Sequence, residues 1–422
     1  MPSGNFRYLD VCEGAHYYYS LLCARGLRGT MDGGHDVRVC VYVFTSFLTH
    51  FARAITINTQ KNKFIRIKLP NTMKAAVKTA VGDFEVKEVP KPTINQPDYV
   101  LVKVRSAGIC GSDLHFWKTP WPEIVGTITG HELAGDVIAV GKDVTNVKVG
   151  DRVGVDSVIG CGECYWCRVG QYHICPDCFD VRSKTFAQGF SEYVVGPSDH
   201  VYILPDHVDY AEAAIMDVYG TSVHAINRTN THMGQTVVII GAGPIGLSLL
   251  DLVNVAGAKG IIIDILDFPL EFAEKTIGAY EVINSRKINP VERVLELTGG
   301  RGADVVFECV GGGAASALLP QALTMARRKG QIALIGMLNP DMSLTLDWGK
   351  LQWGEIDVVP VSGFYHWGND PDFGIVTDLL KEGKLHATEM ITHRFPLEKI
   401  NEAFEVAADK LKTKSIKVVL DS

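Results

Sequence analysis

No apolar run in this chain approaches twenty residues, so the sequence encodes no membrane-spanning helix. Positive charge is also in short supply: 41 Lys and Arg stand against 48 Asp and Glu, a net of −7 that opposes nucleic acid or an anionic membrane as a partner. Neither an internal repeat nor a low-complexity tract interrupts the chain. At 422 residues and 46% apolar content it is long enough for two ordinary domains with separate cores. A cleavable secretory signal is missing too. The expected location is therefore cytoplasmic, and the 10 cysteines need an explanation other than disulfides.

The first 72 residues differ in kind from the rest. They hold nine Lys or Arg against four Asp or Glu and three of the ten Cys, whereas the remainder holds 32 basic and 44 acidic residues. Stretches such as YYYSLLCARGLRG and VCVYVFTSFLTHFARAITI show apolar clumps without a sustained helical or strand period. A targeting peptide would be poor in acid, yet Asp10, Glu13, Asp32 and Asp36 lie here. Residues 1–72 are thus expected to be an N-terminal extension outside the folded core, a translated upstream region, with the functional chain starting at Met73.

From Met73 to about Ala214 short β-type runs alternate with Gly and Asp corners: YVLVKVRSAG, LAGDVIAVG, VKVGDRVGV and SEYVVGPSDHVYIL. This is the pattern of a compact all-β barrel. After Ala214 strand and helix alternate, through VVIIG, LSLLDLVNVAGA, IIIDI, EFAEKTIGA, VVFECVG and IALIG, which predicts a parallel sheet covered by helices on both faces. Around Gly363 that rhythm breaks. The last sixty or so residues read as helical with one strand, IKVVL.

Three constellations carry chemistry. Cys161, Cys164, Cys167 and Cys175 stand in CGECYWCRVGQYHIC, a spacing that brings four thiolates round one tetrahedral Zn²⁺ within a single loop. Such a closed site leaves no position for water and serves structure; a polar, Gly-containing loop is a poor place to bury four cysteines merely as apolar filling. Cys178, three residues further on, could compete as a ligand and is read as a bystander. The second constellation is GICGSDLH with TGHELAG: Cys110 and His131 from separate segments, with Glu132 adjoining, suit a zinc that keeps an exchangeable position. The third is Gly241, Gly243 and Gly246, a G-x-G-x-x-G directly after the strand VVII and before a helix. Asp264 closes the next strand about twenty residues later. Its carboxylate can hydrogen-bond ribose hydroxyls and would repel a 2′-phosphate, so NAD is expected over NADP, with Asp267 as a rival for the same role.

On these motifs residues 73–422 resemble the zinc-containing medium-chain alcohol dehydrogenases, within them the sorbitol (L-iditol) and L-threonine dehydrogenase branches. GICGSDLHFW looks most like the polyol branch, IMDVYGTSVHA resembles the threonine branch, and THRFPLEK is similar to both. The resemblance implies an α/β chain: a GroES-like β-barrel catalytic domain over 73–220, a doubly wound parallel-sheet Rossmann domain over 221–363, and a C-terminal segment, 364–422, returning to the catalytic domain. It makes Cys110, His131 and Glu132 ligands of a catalytic zinc, with Asp217 at a position that can coordinate zinc or its water, and gives the four loop cysteines a structural zinc, two ions per chain. Ser112 and His115 match a proton relay, and Asp113 a partner of the zinc histidine. Ile245, Asp264, Ile335, Gly336, Phe364 and Tyr365 fall at NAD-contact positions. Departures stand at Pro269, where an arginine is common, at Val218, where proline is usual, and at His366 and Trp367, where the sorbitol branch has Arg-Tyr.

The implied reaction is hydride transfer from a secondary alcohol to NAD, the hydroxyl proton leaving through Ser112 and His115. A small polyol or sugar-derived alcohol is the expected substrate, with Phe116 and Trp117 lining its pocket, and a homo-oligomer, dimer or tetramer, is expected. Alternatives are an L-threonine 3-dehydrogenase or a general secondary-alcohol dehydrogenase, a zinc-free type of quinone or enoyl reductase, opposed by both zinc constellations, and a non-catalytic zinc protein, opposed by the intact Cys110, Ser112, His115 and His131.

Overall fold

The computed structural model describes residues 71–337, 343, 345–364, 366, 367 and 370–422. The expectation for the N-terminal extension therefore falls, up to residue 70, outside the described residues. So do Tyr365 and the side chains of His366 and Trp367.

The chain enters as a hairpin, β1 (Thr72–Ala80) with β2 (Asp83–Pro90), and continues into β3 (Tyr99–Gly108), helix α1 (Gly111–Lys118), β4 (Glu132–Val140) and β5 (Arg152–Val155). The cysteine loop follows with two short helices, α2 (Tyr165–Arg168) and α3 (Cys178–Ser183), before β6 (Tyr193–Pro197) and β7 (Val201–Ile203). Val100, Val102 and Val104 of β3 are all fully buried, with Leu133 and Val137 of β4 beside them in one apolar cluster. β3 pairs antiparallel with both β4 and β6, β4 with β5, and β5 with β7. This is the GroES-like barrel.

The helical half starts a little earlier than the sequence pattern indicates, with α4 (Tyr210–Ala214) and α5 (Met216–Thr229). Strands β8 (Thr236–Ile240), β9 (Lys259–Asp264), β10 (Glu281–Asn284), β11 (Ala303–Glu308), β12 (Ala326–Leu334) and β13 (Asp357–Pro360) then alternate with α6 (Pro244–Val255), α7 (Asp267–Phe272), α8 (Pro290–Leu297), α9 (Ala315–Met325) and α10 (Trp348–Gly354). All six strands are parallel, in the order β10-β9-β8-β11-β12-β13. Val237, Val238 and Ile239 of β8 alternate between the sheet's two faces and are fully buried, as a strand covered by helices on both sides must be. The order reverses between β8 and β11, and ligands of such sheets bind beyond the carboxyl ends at that reversal.

The last segment holds the two-residue ladder of β14 (His366–Trp367) and β15 (Asp370–Pro371), then α11 (Asp372–Lys381), α12 (Ala387–Met390), β16 (Ile391–Pro396), α13 (Ile400–Ala408), α14 (Lys410–Thr413) and β17 (Lys417–Asp421). The expectation of one terminal strand is corrected here: β16 is a further strand, paired parallel with β17. Its sequence ITHRFP alternates half-buried and exposed positions with no apolar run, the mark of a barrel edge. β17 pairs antiparallel with β3, so the chain's end returns to the barrel and its residues stand beside those of β3 and β4.

Candidate active site and metal centres

Backbone register assembles the first centre. In the β3–β4 ladder Gly108 lies opposite Glu132, and in the β17–β3 ladder Val419 lies opposite Gly108. His131 directly precedes β4 and Cys110 directly precedes α1. One ligand atom from each of Cys110, His131 and Glu132 lies within 4.8 Å of the others. Thiolate, imidazole and carboxylate at such spacing fit one divalent zinc.

The surroundings orient each donor. Asp113 accepts a hydrogen bond from the Cys110 amide at 2.9 Å and sets its other oxygen 3.6 Å from His131 Nδ1. Burial opposes a charge on His131, yet Asp113 and the Cys110 sulfur together hold its pKa up to about 10. The proton must leave before the ring can ligate a metal. Burial pushes Asp113 upward, with His131 opposing. Lys417, missed in the sequence, donates to Glu132 Oε1 at 2.6 Å and to the Ile109 carbonyl at 3.1 Å. It also lies against Oε2, which has no well-aligned donor and is left a buried acceptor. A Cβ at Gly108 would fall 2.1 Å from that oxygen, so the strand must be bare there. The only signal for Lys417 is a lysine opening the apolar strand KVVL.

Asp217 is buried in the first turn of α5 but is not in the three-ligand group. Burial pushes its carboxyl up to about 6, with His131 opposing and Glu132 adding repulsion, so the two carboxylates sense one another across the centre. Ser112 and His115 are three residues apart on α1 and share a face. Trp117 corrects an expectation: it packs on Phe404, ring centroids 5.7 Å apart, half-buried against the barrel core. Trp121 instead lies with Phe116 and His115, at ring-centroid distances of 5.2 Å and 6.4 Å. A helix puts residues 114 and 117 on one side and 112, 115 and 116 on the other, a constraint a motif does not display.

The second centre lies in the loop between β5 and β6. The sulfurs of Cys161, Cys164, Cys167 and Cys175 are within 4.8 Å of one another and none is in a disulfide. Backbone amides donate to them: Cys164 to Cys161 Sγ at 3.3 Å, Cys161 to Cys175 Sγ at 3.4 Å and Cys167 to Cys164 Sγ at 3.5 Å. Amides aimed at sulfur favour thiolates. Cys178 is buried outside the group.

At the sheet reversal each glycine has its own reason. Gly241 holds φ +103°, and a Cβ at Gly246 would lie 1.8 Å from the Gly241 carbonyl. Gly243 precedes α6, and a Cβ there would meet no described atom closer than 4.0 Å, which leaves bare backbone open to a phosphate. Ile335 and Gly336 both donate their amides to the Glu308 carbonyl, at 2.9 Å, and are half-buried beside Gly311. Ile245 is half-buried at the start of α6. The Phe364 ring is fully buried against Phe373 and Gly220, so only its backbone can meet a ligand.

Asp264 Oδ1 accepts from the Ile265 and Leu266 amides and Oδ2 from the Ala242 amide. With about two acceptor positions per oxygen, Oδ2 keeps room for one further donor. Asp267 is exposed and tied to Lys287 and Asn284, both at 2.7 Å. Asp264 and Pro269 line one small cavity with Gly243; Asp267 does not. Changing Asp264 to Asn is expected to narrow the preference for NAD over NADP by roughly tenfold, because the charge that repels a 2′-phosphate goes while an acceptor stays. The ratio of specificity constants for the two coenzymes measures this, and an unchanged ratio would refute it.

No helix among the described residues is long and apolar enough to cross a membrane. Residues 96–206 match the family described as the alcohol dehydrogenase GroES-like domain and residues 244–382 the zinc-binding dehydrogenase family. A sorbitol dehydrogenase of Bacillus subtilis is 34% identical over 360 residues, covering 83% of this chain and 98% of its own. An L-threonine 3-dehydrogenase of Bacillus velezensis is 35% identical over 351 residues, 79% of this chain and 95% of its own. The solved structure of an alcohol dehydrogenase from Thermus superposes with a TM-score of 0.72 at 30% identity, covering 83% of this chain and 99% of that one.

Proposed function

The chain belongs to the zinc-binding alcohol dehydrogenase family, and from that membership we propose that it oxidises a secondary alcohol of the polyol or sugar-derived class with NAD. The observation that carries this reading is the gathering of the Cys110, His131 and Glu132 donor atoms within 4.8 Å in a chain whose parallel sheet carries a dinucleotide glycine loop. Two zinc ions per chain follow, one held by that mixed set and one by the four loop cysteines.

Zinc, when bound there, supplies the positive charge that makes a hydroxyl acidic, and NAD supplies the hydride acceptor. The protein's residues do the rest. Ser112 Oγ takes the proton of the substrate hydroxyl and His115, three residues on, hands it to solvent. Asp113 fixes the His131 ring and Lys417 restrains Glu132, so the donors keep one geometry through turnover. Phe116 and Trp121, edge to face, form an apolar wall at this end of the barrel.

The test is turnover of sorbitol, xylitol, 2-butanol and L-threonine, followed as NADH absorbance. A site that hydrogen-bonds a second hydroxyl rejects an alcohol lacking it strongly, whereas an apolar wall discriminates by only about 1–3 kcal/mol per methylene. Polyols are therefore expected to exceed 2-butanol by at least about a hundredfold in kcat/KM. Equal efficiencies would overturn the polyol reading. The comparable identity to a threonine dehydrogenase makes that activity the second reading, and preference for L-threonine would establish it.

A further inference from the structure

Lys410 opens α14, the short helix just before β17, and its side chain reaches across to the glycine loop. Its ammonium is the nearest described group to the open side of Gly243: a Cβ built there would lie 4.0 Å from Nζ. Lys410, Gly243, Ala242 and Asp264 line the same cavity. The ammonium is half-buried, yet it has no hydrogen bond or ion pair among the described residues. Burial lowers its pKa, with the repulsion of Lys417 adding to that and the field of Asp264 opposing it. A cation taken partly out of water with no partner is costly, and side chains so placed are ordinarily held for an anion.

The opposite wall has the complementary need. Gly243 is the N-cap of α6, a helix of 12 residues, and no side chain caps its first amides. That end of the helix carries a partial positive charge and unsatisfied N–H groups. The Asp264 carboxylate takes three backbone amides and makes no hydrogen bond or ion pair with Lys410 among the described residues, so its field offsets the burial of the ammonium only from a distance. A cation and a helix N-terminus facing one bare glycine make a two-sided anion clamp, and the anion a dinucleotide presents at its glycine loop is the diphosphate bridge.

We propose that Lys410 binds the diphosphate of the dinucleotide, gripping it against the glycine loop from the barrel's C-terminal segment. This rests on the dehydrogenase reading and adds to it a residue outside the fingerprint. Through α14 and β17 the same segment continues to Lys417, the residue that restrains Glu132.

The experiment is fluorescence titration with NADH, with ADP and adenosine as competitors, on wild type, Lys410→Gln and Lys410→Arg. NADH and ADP are expected to bind Lys410→Gln about tenfold more weakly, with adenosine unchanged, since a lost charge-assisted contact to phosphate does not touch the nucleoside. Lys410→Arg is expected to restore most of the affinity, and the nucleotide-free melting temperature of Lys410→Gln should not fall, because the lysine has no partner to lose. Unchanged NADH affinity overturns the clamp, as does an equal loss for adenosine. Wild-type protein that binds no dinucleotide would instead overturn the dehydrogenase reading itself.

Discussion

Serine in place of Cys164 is expected to cut the zinc content from the proposed two ions per chain to one and to lower the melting temperature by roughly 10 °C. The loop that holds Cys164 has little core of its own. Tyr165 is 69% exposed and Phe179 76% exposed, so of its aromatic residues these two face solvent while Tyr172 packs inward. Besides the contact of Tyr172 and Cys175 with the core, the loop is tied by the group of four sulfurs and the amides pointed at them. Cys164 is central there, its amide donating to Cys161 and its sulfur accepting from the Cys167 amide. The cysteines are unequally poised: amides of Glu163 and Cys164 draw Cys161 down to about 7, while burial pushes Cys167 up to about 12. A metal ion levels that difference by ionising all four. A serine hydroxyl at position 164 would stay protonated and leave a three-ligand site open to water. Metal analysis and thermal melting on the same preparation check this; two zincs with an unchanged melting temperature would sink the assignment.

Features carried by local spacing were legible in the sequence, and features carried by tertiary register were not. The four loop cysteines, the glycine fingerprint and the β8–β9 alternation lie within short windows, where residue spacing alone fixes which groups meet. Glu132 was visible as a neighbour of His131. Its partner was not, because Lys417 lies 285 residues away and reaches it only when β17 closes the barrel against β3. β16 escaped notice for a related reason: an edge strand with Thr, His and Arg has no apolar period, and β17 supplies its pairing. Trp117 was misplaced because a motif gives order along the chain and not the side of the helix. Phe116 and Trp121 lie together although Trp117 is nearer in sequence.

His131→Ala is expected to lower kcat/KM by at least about 10⁴, some 5 kcal/mol of transition-state stabilisation, while NADH affinity stays within about twofold. His131 joins the two halves of the mixed centre: its ring lies with the Cys110 sulfur on one side and Asp113 on the other. Alanine removes a metal donor and also strands Asp113, whose side chain is 3% exposed and which loses the imidazole that offsets its burial. Neither loss reaches the glycine loop, which belongs to the parallel sheet. One zinc per chain is expected to persist, at the four cysteines, so this variant and Cys164→Ser should lose complementary ions, the first at the cost of activity and the second at the cost of the loop's stability. Activity within tenfold of wild type in His131→Ala would remove the mixed centre from the reaction, and loss of NADH binding in the same variant would mean that the mutation had collapsed the fold.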